Sequence, residues 1–138
     1  MQDWQHLQPL RIPSGWTIMI NKLEDIEPEE LSPEDKIWLY AYTEDILYMY
    51  TNMSRKKNKE LETQTLVIDL GWYPDSDPKG TFRLLAILND NWENPLLEFS
   101  SRKKKEVVKK LERWLFDEFM PRSYIEEELF RRNHMPKK

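Results

Sequence analysis

Carboxylates are the groups this chain supplies most freely for chemistry. Asp69, Asp75, Asp77, Asp90 and Glu93 fall in and beside two turn-rich stretches, 73–80 and 89–95. Acids grouped in this way can serve a hydrolase as proton donor and acceptor, or hold a hard cation. Asp75-Ser-Asp77 has the opening spacing of a calcium loop. It lacks the third ligand position, the glycine and the distal glutamate that such a loop needs. Asp and Asn in turns ordinarily hydrogen-bond their own backbone, which is the plainer reading of this set.

The other routes to catalysis are closed more firmly. The chain has no cysteine, so thiol nucleophiles, disulfides and thiolate metal sites are excluded. Its two histidines, His6 and His134, lie in segments that read as terminal arms. No serine sits in a nucleophile elbow. The three glycines, Gly15, Gly71 and Gly80, do not form a phosphate-cradling loop. We therefore assign no catalytic residue, no cofactor and no metal, and expect a protein that works by binding.

Charge and aromatic content indicate where a partner would sit. The net charge of −4 argues against non-specific nucleic-acid binding. The charge is also uneven. Glu24, Asp25, Glu27, Glu29, Glu30, Glu34 and Asp35 follow one another with no base between them. Arg102, Lys103, Lys104, Lys105, Lys109, Lys110 and Arg113 crowd a later stretch. Such a molecule is dipolar, and its two poles suggest different partners. Clustered carboxylates speed encounter with a basic partner. Six tryptophans, six tyrosines and five phenylalanines supply both core and interface anchors. The expected partner-binding set is Glu24, Asp25, Glu27, Glu29 and Glu30, with Trp72, Tyr73, Asp75 and Asp77, and with Trp92 and Glu93.

The elements that must carry these residues follow from periodicity. Residues 1–13 read as an irregular arm, 14–99 as mostly β, 101–132 as helical and 133–138 as a tail, all within one domain of 138 residues. Residues 16–23 read as a strand, and the acidic run as a loop with one helical turn after Ser32-Pro33. Residues 37–42 and 46–51 read as a hairpin, with a single helix over 34–50 as the rival. Residues 54–59 read as a polar connection. In 65–72, Leu66, Ile68, Leu70 and Trp72 alternate onto one face of a strand. Residues 82–88 return antiparallel, and 96–99 form a short strand. From a Ser101 cap, Val107, Val108, Leu111, Trp114, Leu115 and Phe119 form one apolar stripe of a helix reaching about Met120. Pro121 stops it, and Ser123–Glu126 is a capping box for a short final helix. The fold class is α+β: an antiparallel meander of five or six strands, a long C-terminal amphipathic helix on one face, and a short final helix. The start of the chain lacks the pattern of a secretory signal, and no apolar run is long enough to span a bilayer. A cytoplasmic protein is expected.

Four segments carry a resemblance: Ile12-Pro-Ser-Gly-Trp16, Asn21-Lys-Leu-Glu-Asp-Ile-Glu-Pro28, Ile68-Asp-Leu-Gly-Trp-Tyr-Pro-Asp75 and Asn94-Pro-Leu-Leu-Glu-Phe99. Together they resemble small bacterial immunity proteins of polymorphic, contact-dependent toxin systems of the Rhs and wall-associated types. The resemblance spans most of residues 11–116 and brings no catalytic residue. It implies a cytoplasmic protein that binds the C-terminal domain of a cognate toxin. Such toxins are often basic nucleases, which suits the acidic run. Two alternatives stay open: a nucleic-acid-associated regulator using 102–113, and a carboxylate-based hydrolase or metal enzyme at 69–93.

Overall fold

The structure is a computed structural model that describes residues 6–118. Among the described residues there are five strands: β1 (Thr17–Asn21), β2 (Leu47–Lys57), β3 (Glu60–Tyr73), β4 (Thr81–Leu88) and β5 (Leu97–Ser101). They pair antiparallel in chain order, so each strand lies beside its neighbour in sequence. Two helices join them: the short α1 (Trp38–Ala41) and the C-terminal α2 (Lys104–Arg113). The α+β meander expected from the sequence is present. The helix is more modest than expected, ten residues continued by one π-helical turn over Trp114–Glu118. The short final helix, Pro121, the 133–138 tail and His134 lie outside the described residues.

The strand β3 organises the core. Leu66, Ile68, Leu70 and Trp72 are each fully buried on one face, as their alternation requires. Leu47 and Met49 of β2 and Phe82, Leu84 and Ala86 of β4 extend that face. Helix α2 closes it with Val107 and Leu111, followed by Trp114 and Leu115. An aromatic stack fills the end of this core. Trp38 and Tyr42 sit 4.5 Å apart, and Trp72 meets Tyr42 at 5.0 Å and Phe82 at 4.9 Å. Both buried indoles find a carbonyl, Trp38 on Ser32 and Trp72 on Asp77, as buried tryptophans must. A smaller cluster of Val67, Leu85 and Ile87, flanked by Tyr48 and Tyr50, occupies the opposite face.

Three expectations are corrected. Residues 37–42 are not a strand of a hairpin, and no helix spans 34–50. Trp38, Ala41 and Tyr42 are buried while Leu39 and Tyr40 are exposed, which is the three- and four-residue spacing of a helical turn. Residues 54–57 are not a connection but the outer half of β2. Lys57 pairs with Glu60 across a two-residue loop, Asn58-Lys59, whose φ angles of 52° and 68° are both positive. That geometry matches the right-handed twist of a hairpin. Finally, the helical turn of the acidic run is a 3-10 turn at Pro28–Glu30, before Ser32-Pro33 rather than after it.

Candidate functional site

A meander places successive loops at alternate ends of the sheet. The chain from 22 to 46, the 74–80 loop and the entry to α2 share one end. The 58–59 turn and the 89–96 loop share the other, where Asn89 Oδ1 accepts the Thr65 N–H at 3.0 Å. The candidate residues are divided accordingly. Glu24–Glu30 and Trp72–Asp77 come together. Trp92 and Glu93 stand about 25 Å away, at the far end of the eight-residue strand β4. The carboxylate group of the hydrolase reading is split in the same way, Asp75 and Asp77 at one end, Asp90 and Glu93 at the other. Among the described residues no three His, Cys, Asp or Glu side chains are placed to hold a metal ion.

Within the shared end, three acids of the run, Glu24, Asp25 and Glu27, are engaged by the fold. The Glu27 carboxylate accepts the backbone N–H groups of Lys104 and Lys105 at 2.8 and 3.0 Å. It thereby caps α2, whose own N-cap residue, Lys103, makes no side-chain capping bond. The anticipated cap, Ser101, ends β5 instead and accepts the Lys103 N–H at 3.0 Å. Asp25 pairs with the Lys104 ammonium at 2.5 Å, and Gln8 bonds the same ammonium. The cause is electrostatic. Three successive lysines at a helix start oppose the macrodipole, and carboxylates delivered there relieve the conflict. The two charge poles therefore meet at the start of α2, through the Asp25–Lys104 ion pair and the Glu27 cap.

Glu24 is 8% exposed, its Oε1 has no hydrogen-bond partner among the described residues, and burial raises its pKa despite the opposing pull of His6. Its backbone pairs with Leu7, which ties the N-terminal arm to the acidic run. Neither Glu24 nor Trp72, which is fully buried, offers a surface to a partner. The Arg102 guanidinium lies 5.4 Å over the Trp72 ring and donates to the Pro78 and Gly80 carbonyls. This clamps the 74–80 loop. Tyr73 is half-buried, and the peptide bond to Pro74 is cis. Asp75 is exposed. The Ser76 hydroxyl and the Glu44 N–H, both donated to its carboxylate, hold its pKa below the usual range. Asp77 receives the Lys79 N–H at 2.8 Å, ordinary Asx-turn bonding.

What remains outward is the continuation of the acidic run. Glu29, Glu30, Glu34, Asp35, Glu44 and Asp45 are exposed and make no ion pair among the described residues. Lys36 is the only base in residues 29–45. The fields of Glu24, Glu27, Glu30 and Asp35 converge on the Tyr42 hydroxyl and, after burial itself, drive its pKa upward. Inside this acidic surround α1 exposes two apolar residues, Leu39 at 70% and Tyr40 at 48%. Neither belongs to the partner-binding set expected from the sequence, which reads residues 37–42 as a strand. All four residues of Trp38–Ala41 are apolar or aromatic, so the sequence carries no pattern that tells the exposed pair from the buried one.

No protein-family model, curated protein or solved structure matches the chain. Among the described residues no helix is long and apolar enough to cross a membrane.

Proposed function

We propose that this chain is an immunity-type binding protein, which neutralises a cognate, basic toxin domain by direct contact. The observation that carries the reading is the acidic face over Glu29–Asp45, whose exposed carboxylates make no ion pair among the described residues and share the stretch with one base, Lys36. A protein keeps a field of one sign at a cost in self-repulsion, and the common return is a fast, selective encounter with a partner of opposite sign. The four segments that resemble immunity proteins of polymorphic toxin systems support the same reading. Two of them contribute to this end of the molecule.

The alternatives lose ground on specific residues. A nucleic-acid role for 102–113 must do without Arg102 and Lys104, whose side chains are already bonded within the fold. A carboxylate enzyme at 69–93 must work with acids divided between opposite ends of the sheet.

The test is co-expression. The C-terminal domain of any large secreted protein found to be encoded beside this gene is produced in cells with and without the present chain; the absence of such a neighbour would count against the reading. Restored growth, together with a 1:1 complex of the purified proteins, is the expected outcome. Growth arrest in both cultures and separate elution of the two proteins would remove the reading.

A further inference from the structure

We infer that α1 is the anchor of this docking surface, and that Leu39 and Tyr40 enter an apolar hollow on a positively charged protein surface. The inference rests on the immunity-type reading for the identity of the partner, and on the geometry of α1 for the place of contact. Exposed apolar side chains are ordinary when scattered singly. Here two adjacent ones project from a turn whose other two residues, Trp38 and Ala41, are buried. The turn is also held rigid. Ala41 N–H donates to the Ile37 carbonyl at 2.9 Å, the Trp38 indole donates to Ser32, and the Tyr42 carbonyl receives the Ser76 N–H at 2.7 Å. Beneath it lies the aromatic stack of Trp38, Tyr42 and Trp72. An anchor fixed in this way loses little freedom on binding. A central apolar contact ringed by polar residues is the usual anatomy of an interface.

The rim selects the occupant. Glu34 and Asp35 precede the turn and Glu44 and Asp45 follow it, four exposed acids against the one base Lys36, and none makes an ion pair among the described residues. A second copy docking the same face would set carboxylate against carboxylate. Nucleic acid and anionic lipid are repelled for the same reason. A basic protein surface is the occupant with complementary charge.

Two measurements test this. In the first, isotope-labelled protein is titrated by NMR with a synthetic amphipathic peptide of alternating leucine and lysine, at low and at high salt. We expect shifts centred on residues 34–45 that fade with salt. They should weaken about 30-fold in a Leu39→Asp/Tyr40→Asp variant of unchanged circular dichroism. The control Leu61→Asp, on the exposed hairpin arm, should bind as the parent does. Shifts centred elsewhere, or equal binding by the double variant, overturn the anchor. In the second, the double variant replaces the parent in the growth-rescue assay. Full protection by both overturns the anchor and leaves the immunity reading standing. Failure of the parent to protect, with the peptide still mapping to Leu39 and Tyr40, overturns the immunity reading and leaves the docking surface standing.

Discussion

The Glu27 carboxylate caps the backbone of Lys104, 77 residues away in sequence, at 2.8 Å. This contact joins the acidic run to the start of α2, and it separates the acids that hold the fold from the acids left for a partner. A cap supplied by a distant loop is a tertiary contact, so its loss should be felt by the whole domain. Glu27→Ala is expected to cost about 1–2 kcal/mol. Glu27→Gln, which keeps an acceptor but loses the charge, should cost less. Urea denaturation followed by circular dichroism measures both. An unchanged midpoint for the alanine variant would mean that the cap contributes nothing.

Asp69 makes stability depend on pH in the opposite sense to a salt-bridged acid. Burial, and then the nearby Asp45, push its pKa up to about 6 against the pull of Arg83. The folded state thus holds the proton more tightly than the unfolded chain, where a carboxylate titrates near pH 4. Its contribution is fully present below about pH 4 and is lost as pH rises through about 6. Asp69→Asn should therefore stabilise the protein at pH 7.5 by about 1 kcal/mol, after solvent screening is allowed for, and do nothing at pH 3.5. Thermal melts at the two pH values check the sign. Equal effects at both would rule out titration of Asp69 as the cause.

Gly71 is required by a close approach of backbone. A β-carbon there would collide with the carbonyl oxygen of Glu44, which belongs to the segment following α1 and cannot swing aside as a side chain could. Gly71→Ala should cost about 2 kcal/mol or more through overpacking, and it should loosen the acidic end in particular. Hydrogen exchange is the suitable readout. Faster exchange is expected at Ile46 and Trp72, whose N–H groups bond Leu70 and Thr43 across this junction.

Much of this architecture is legible in the sequence, and the failures have physical reasons. The alternation of Leu66, Ile68, Leu70 and Trp72 identifies the central strand because one of its faces is buried along the whole run. The outer part of the β2–β3 hairpin escapes the same test. It extends past the pairing of Tyr50 with β1 and of Leu66 with β4, and Glu60–Thr63 of β3 are all exposed, so no alternation appears there. The turn Asn58-Lys59 lacks the glycine that usually marks such a loop. At the site, the acidic run is plain in the sequence. Its division into structural and free carboxylates is not, because that depends on which ones meet α2 in space. The supposed cluster of Asp75, Asp77, Asp90 and Glu93 was an error of counting along the chain. In a meander, loops one strand apart lie at opposite ends.

The division of the acids yields a prediction about stability. Charge reversal at Glu29, Glu30 and Glu34 should leave stability within about 0.5 kcal/mol, since none holds an ion pair among the described residues. Asp35 is left out because its carboxylate accepts the Ile37 N–H at 3.1 Å at the entry to α1. The same change at Glu27 should lower stability, so a loss of binding there would mix two causes. Urea midpoints for the two variants separate them.

The central claim is that the free acidic face steers a basic partner. The most direct measurement is stopped-flow association of the purified protein with the candidate toxin domain, for the parent and for a Glu29→Lys/Glu30→Lys/Glu34→Lys variant, across a salt series. The account predicts an association rate about 10- to 100-fold slower in the variant at low salt, converging with the parent at high salt, while dissociation changes little. Equal association rates at low salt would contradict it.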